Sequence, residues 1–149
     1  MNEVLIKSII NKGGLALLSL GDKFGSIPLH SAVQYSQITS IELLLNLGSP
    51  INVTATESFH LLGFQYLLHA GATPLDTAVK THQVAIIKLL LKYGGLLNLP
   101  VLVSDKPFLV QAQEELATEK ASIVLAIDRA TDNNISPIIL IELITDYAS

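Results

Sequence analysis

The sequence predicts an all-α fold in which helix–turn–helix units repeat along the chain and stack into a solenoid. Three observations predict it: segments of the chain recur at one offset, each copy carries an apolar stripe at helical spacing, and each copy ends at a glycine suited to a helix terminus. A length of 149 residues suits one domain or one array of small units. Half of the residues are apolar and 15% are charged, which is the opposite of a disordered chain.

The repeat has an offset of 46 residues. Residues 25–32 align with residues 71–78, and residues 41–48 align with residues 87–94. Asn52 falls on Asn98 at the same offset. Each copy therefore reads as a helix, a short turn, a second helix and an extended excursion.

The helices have identifiable starts, faces and ends. The first helix of each copy begins with a proline, whose missing N–H costs nothing at the first helical position. Thr73 can cap the second copy, but Ile27 cannot cap the first, which costs about 1 kcal/mol. Gly48 and Gly94 follow the second helices as left-handed C-caps. The apolar stripe of the second helix consists of Ile38, Ile41, Leu44 and Leu45 in one copy and of Val84, Ile87, Leu90 and Leu91 in the other.

This unit resembles the ankyrin repeat. The family's Thr-Pro-Leu-His-x-Ala opening is followed at residues 27–32 and 73–78, and its Leu-Leu-x-x-Gly ending at residues 44–48 and 90–94. The resemblance implies that residues 22–25 form a hairpin tip. It also implies that His30 is a structural imidazole hydrogen-bonded between neighbouring repeats, a place that Asp76 takes in the next repeat, where the same bond is in doubt.

Two further copies are indicated at the ends of the chain. Residues 6–15 match residues 87–96, which indicates a truncated N-terminal repeat, and residues 121–126 with 141–148 indicate a degenerate last one. We therefore predict a single ankyrin repeat domain over residues 1–149. Its parts are an N-terminal half repeat (1–21), a repeat (22–53), an inserted helix (54–70), a repeat (71–99), an inserted helix (100–119) and a degenerate C-terminal repeat (120–149).

The inserted helices account for the long spacing between copies. The spacing exceeds the 33-residue period of the family by about 13 and about 15 residues, and both insertions fall in the hairpin regions. Residues 54–57 resemble a capping box and residues 104–107 a helix start, so we expect short helices at about 59–69 and 107–118. These helices either pack back on the array or carry a binding surface.

Composition and motifs exclude several classes of function. The chain has no cysteine, its four histidines lack metal-ligand spacing, and it has no phosphate-binding glycine loop or nucleophile elbow. The net charge of −4, without a basic run, argues against nucleic acid, and no apolar run reaches the roughly 20 residues of a membrane span. We expect no catalytic site, metal or cofactor, and a cytoplasmic location, in its own cell or in a host cell if the protein is a secreted effector. An enzyme built from the insertions is the remaining alternative of that kind.

The resemblance implies binding of another protein through the concave face, the hairpin tips and the inserted helices. Exposed polar side chains on an inner helix also satisfy solvation alone, so both interpretations apply to each residue. The candidate partner-binding residues are the family's variable positions and two aromatic residues of the first insertion: Lys23, Phe24, Ser26, Gln34, Tyr35, Phe64, Tyr66, Lys80, Thr81, His82, Asp128 and Arg129.

A structural role in assembly is the second functional hypothesis. Residues 138–144 predict a helix that is apolar nearly all round, at a place where a polar capping repeat is expected. Either this helix forms a homodimer, or the sequence belongs to a longer protein, or the inserted helix at 107–118 covers it.

Overall fold

The fold comes from a computed structural model, which describes residues 4, 8, 11, 14–58 and 68–132. These residues contain α-helices and no strand, and a 3-10 turn at Leu15–Leu18 precedes the first complete helix. Val4, Ser8 and Asn11 are helical. The helices are α1 (Pro28–Gln34), α2 (Ile38–Asn46), α3 (Pro74–Lys80), α4 (Val84–Lys92) and α5 (Lys106–Asp132).

The first four helices form two stacked pairs. Helix α1 packs against α2, α3 packs against α4, and α1 packs against α3. The predicted all-α array of helix–turn–helix repeats is confirmed.

The apolar stripes of the second helices form the core. Ile41, Ile87 and Leu90 are fully buried, together with Leu29 and Leu75 of the first helices. The buried apolar residues of all four helices belong to one cluster that continues from one repeat to the next.

One predicted member of the stripe is exposed. Ile38 stands at the first position of α2 and keeps 44% of its surface in solvent, whereas its counterpart Val84 packs against the core. Ile86, which the pattern omitted, is buried.

The caps follow the sequence prediction. The Thr73 hydroxyl accepts a hydrogen bond from the Asp76 N–H at 3.2 Å, and the Asp76 carboxylate accepts one from the Thr73 N–H at 2.9 Å. Ile27 makes no side-chain cap, but its N–H donates to Nδ1 of His30 at 3.3 Å, so half of the reciprocal pair survives. Gly48 and Gly94 take positive φ angles of 87° and 85° after α2 and α4.

A tight turn at residues 22–26 forms the predicted hairpin tip. Oδ1 of Asp22 accepts hydrogen bonds from the N–H groups of Phe24 and Ser26 at 2.8 and 2.9 Å. The carbonyl of Phe24 accepts hydrogen bonds from the N–H groups of Thr56 and Glu57, which joins this tip to the next excursion. A Cβ on Gly25 would lie 2.8 Å from the backbone nitrogen of Thr56, so this approach requires glycine.

The two predicted insertions have different outcomes. The helix predicted at about 59–69 lies outside the described residues except for Leu68 and His69, neither of which is helical. The second insertion begins as predicted, one residue earlier at Lys106, but it does not end near Thr118. It continues to Asp132 because neither glycine nor proline occurs between Pro107 and Pro137.

The continuous helix α5 differs from the arrangement predicted for the last repeat. The predicted start of that repeat at residues 121–126 lies inside α5, so no new helix begins there. The apolar helix predicted at residues 138–144, and with it the dimerisation hypothesis, lies outside the described residues. The chain divides into two compact units, Met1–Ala112 and Gln113–Ser149.

Candidate functional site

The first hairpin tip presents three predicted binding residues. Lys23 is exposed, and Phe24 and Ser26 are half-buried. Nζ of Lys23 lies 4.8 Å from the centroid of the Phe24 ring, a cation–π contact. The tip thus offers a positive charge and an aromatic ring on one rigid turn.

The C-terminal end of α1 carries two more of the predicted binding residues. Gln34 is half-buried, whereas Tyr35 keeps 71% of its surface in solvent. The Tyr35 side chain has no hydrogen bond or ring contact to any described residue. Tyrosine is among the residues enriched at the hot spots of protein interfaces.

At the matching positions of the second repeat, some side chains are engaged in contacts within the protein. Lys80 is half-buried at the end of α3. The Thr81 hydroxyl donates to the helix, 2.9 Å from the Thr77 carbonyl oxygen, and accepts from the Gln83 amide at 2.7 Å. Thr81 is therefore engaged within its own turn.

His82 joins the second repeat to the start of α5. Its Nε2 lies 3.0 Å from Oδ1 of Asp105, and its ring stacks on Phe108 with centroids 4.0 Å apart. The carboxylate can only accept, so Nε2 carries the proton. We call His82, Asp105 and Phe108 the α5 clasp.

The clasp also sets the charge state of its carboxyl. The hydrogen bond from His82, helped by that from Ser104 at 2.9 Å, holds the pKa of Asp105 below its ordinary value of 3.8. Asp105 is a buried anion at neutral pH in consequence.

The other predicted residues belong to other parts of the chain. Asp128 and Arg129 are exposed on α5, in the second compact unit. Phe64 and Tyr66 lie outside the described residues.

His30 bridges the two repeats as the resemblance implied. Its Nε2 lies 3.1 Å from the Ala72 carbonyl, and its Nδ1 accepts from the Ile27 N–H. A carbonyl only accepts and an N–H only donates, so one neutral tautomer satisfies both contacts. Burial lowers the pKa of His30 below its ordinary value of 6.5.

Asp76, at the equivalent place, reverses the direction of the bond. Its carboxylate accepts from the N–H groups of Asn98 and Leu99, both at 3.1 Å, in addition to capping α3. The Asp76 side chain therefore accepts hydrogen bonds from the backbone of the excursion after α4. The His30 side chain instead donates a hydrogen bond to a backbone carbonyl. The hydrogen bond that the sequence left in doubt exists, with acceptor in place of donor.

The sequence prediction missed the excursion at residues 96–103, which we call loop 96–103. Four of its apolar side chains are exposed: Leu96, Leu97, Leu102 and Val103. The sequence does indicate this exposed apolar surface, because the apolar run at residues 96–103 lies outside the apolar stripes of both helices of its repeat.

In the part of the chain that is described, no three metal-ligating side chains come together. None of the described helices has both the length and the hydropathy needed to cross a membrane.

Stacked helix pairs joined by capped turns and hairpin excursions define a helical repeat protein. A family model described as "Ankyrin repeats (3 copies)" matches residues 2–100, which is more than half of the chain. The chain belongs to the ankyrin repeat family, whose members are in general protein–protein interaction modules and not enzymes. No curated protein and no solved structure was found to be significantly similar to the chain.

Proposed function

We propose that this protein is a non-catalytic module that binds a partner protein through the hairpin tips and the inner helices of its repeats. The exposure of Tyr35 carries the proposal. An aromatic side chain that leaves 71% of its surface in water, on a helix whose opposite face is fully buried, gains apolar burial only from a partner.

The proposed contact surface combines Tyr35 with the first hairpin tip. Phe24 and Lys23 supply an aromatic ring and a charge, and the Asp22 hydrogen bonds hold the turn that presents them. Gln34 and Ser26 are half-buried and suit the polar rim of such an interface. Thr81 and His82 are engaged in hydrogen bonds within the protein, and the proposed surface does not include them.

The test begins with an affinity pull-down that uses the intact protein as bait, because the partner is unidentified. Binding of the recovered partner is then measured for the wild type, Tyr35→Ala and Phe24→Ala. We expect each variant to keep its thermal stability and to weaken binding by about tenfold or more, as loss of a central aromatic anchor does.

A control separates this surface from nonspecific apolar contact. Leu20 is also well exposed, and Leu20→Ser should leave the affinity unchanged. Unchanged affinity in both Tyr35→Ala and Phe24→Ala would remove the concave-face assignment.

A further inference from the structure

Loop 96–103 is held by hydrogen bonds at several points although four of its apolar side chains lie in solvent. Oδ1 of Asn52 accepts from the Leu96 N–H at 2.8 Å, and Asp76 accepts from the next turn of the loop. The Leu102 carbonyl accepts from the N–H groups of Asp105 and Lys106, which closes the far end. Side-chain and backbone hydrogen bonds thus fix a loop that contributes few side chains to the hydrophobic core.

Exposed apolar side chains lie at both ends of the loop. Leu96 and Leu102 keep 63% and 56% of their surface in solvent, and Val103 keeps 82%. A fixed surface of this kind has already lost its conformational entropy, so a partner that covers it gains apolar burial at little ordering cost.

The charges around the loop have one sign. Residues 71–112 contain two acids, Asp76 and Asp105, and both carboxylates are buried and hydrogen-bonded. The four lysines of the same stretch are exposed or half-buried: Lys80, Lys88, Lys92 and Lys106. By contrast, the exposed charges of residues 14–58 are mainly acidic, with Asp22, Glu42 and Glu57 against Lys23.

Two of these lysines lie beside the loop. Lys80 lines a small pocket together with Leu97, Leu99 and Asp105. Lys106 directly follows the buried Asp105 and is exposed at the start of α5. Apolar side chains and positive charge therefore share one surface in a protein whose net charge is −4.

We propose that loop 96–103, with Lys80 and Lys106, is a docking site for an acidic amphipathic segment of another protein. Leu102 and Val103 contact the apolar face of that segment, and the lysines face its carboxylates. Charge complementarity selects the occupant, because the acidic remainder of the array repels such a segment and leaves this surface as its place to bind. The site deepens the proposed interaction function, rests on it, and uses none of the residues of the surface formed by Tyr35 and the first tip.

The probe is a labelled helical peptide of roughly 18 residues, long enough to form a helix, with leucine on one face and glutamate on the other. Its binding to the full-length protein is followed by fluorescence anisotropy. We expect saturable binding that weakens with added salt, and weaker or no binding of the matched leucine–lysine peptide.

Two variants test the two halves of the site. The double variant Leu102→Ser with Val103→Ser should weaken binding by about tenfold or more, because it removes the apolar anchors. Lys106→Glu should weaken binding and reduce its salt dependence. Lys80→Gln repeats the charge test if Lys106→Glu disturbs the start of α5.

The chain offers matched controls on α5. Leu125 is as exposed as Leu102, at 56% each, and Leu125→Ser should leave binding unchanged. Lys120→Glu makes the same charge reversal at another exposed lysine and should change the affinity by less than about twofold.

Several results would overturn the proposal. One is equal binding of both peptides, and another is unchanged binding by the double loop variant. Binding to anionic phospholipid vesicles without peptide binding would make the surface a membrane contact. Loop-dependent dimerisation in light scattering, again without peptide binding, would make the occupant a second copy.

The proposed function is tested separately. If Tyr35→Ala abolishes binding of the recovered partner while the loop variants have no effect on the peptide, the docking site fails and the interaction module stands. The opposite pattern leaves the docking site standing and removes the concave-face assignment.

Discussion

At the residue scale, equivalent positions of the two repeats carry side chains of opposite hydrogen-bonding character. His30 donates to the carbonyl of Ala72, and Asp76 accepts from the amides of Asn98 and Leu99. Both side chains are buried, so each would be costly to leave without its partner. This position of the repeat can thus be joined to the next excursion by a donor or by an acceptor side chain. The facing backbone then presents a carbonyl to the donor or N–H groups to the acceptor.

The first prediction concerns the pH dependence of stability. Because burial lowers the pKa of His30, the unfolded chain binds a proton at this histidine near pH 6.5, whereas the folded protein binds it only at lower pH. The contribution of neutral His30 is therefore complete above pH 6.5 and is lost as pH falls below it, by at most about 1.4 kcal/mol per pH unit. Urea unfolding between pH 7.5 and about pH 5 measures this slope.

The matched variant is His30→Gln, which keeps a hydrogen-bonding side chain but does not titrate. It should be less stable at pH 7.5 and show a flatter slope below it. Asp105 acts in a different range, because its lowered pKa gives stability that is present above pH 3.8 and lost as pH falls further. An unchanged slope in His30→Gln would contradict the assignment to His30.

At the element scale, the turns between paired helices share one geometry and differ in what they hold. Ser36 follows α1 and His82 follows α3, and both adopt the left-handed conformation with φ of 56°. A side chain in that conformation costs roughly 1 kcal/mol relative to glycine. Ser36 is exposed, whereas His82 uses the turn to reach Asp105 and Phe108.

The second prediction compares glycine at these two turns. Ser36→Gly removes backbone strain only, and we expect a gain of up to about 1 kcal/mol in the free energy of unfolding. His82→Gly relieves the same strain but breaks the α5 clasp, and we expect a net loss of about 1–2 kcal/mol. Urea titration measures both. Equal stabilisation by the two variants would show that the clasp contributes nothing.

Element boundaries also show what local sequence controls. The helix ends of both repeats are predicted by proline at the start (Pro28 and Pro74) and glycine at the end (Gly48 and Gly94). These two residue types restrict or permit particular backbone angles at their own position. The end of α5 near Thr118 was wrong because it rested on an alignment to a degenerate repeat, with no local helix-stopping residue there.

At the scale of the whole molecule, the hydrophobic core cluster formed by the described residues lies in the first compact unit. Its cluster runs from Leu18 to Ala112, and Phe108 and Leu109 pack against it from the start of α5. The first turns of α5 thus complete the core of the repeats, while the rest of the helix belongs to the second unit.

The third prediction follows from that division. A protein truncated after Ala112 should keep a cooperative thermal transition by circular dichroism, because the core cluster remains intact. Truncation after Leu99 also removes the α5 clasp and the packing of Phe108 and Leu109, and we expect it to lose several kcal/mol. If the longer fragment is unfolded, the second unit is required for the stability of the first.

The sequence by itself determined the repeat, its family, the helices α1 to α4, the first hairpin tip and the bridging role of His30. These follow from patterns that repeat locally, such as apolar spacing and the residues that begin and end a helix. Only the tertiary structure decided that His82 contacts Asp105, that Asp76 binds the following loop, and that loop 96–103 leaves Leu96, Leu97 and Leu102 exposed beside Lys80 and Lys106. The physical reason is that each of these contacts joins groups more than 20 residues apart or depends on what covers a side chain, and local propensity specifies neither.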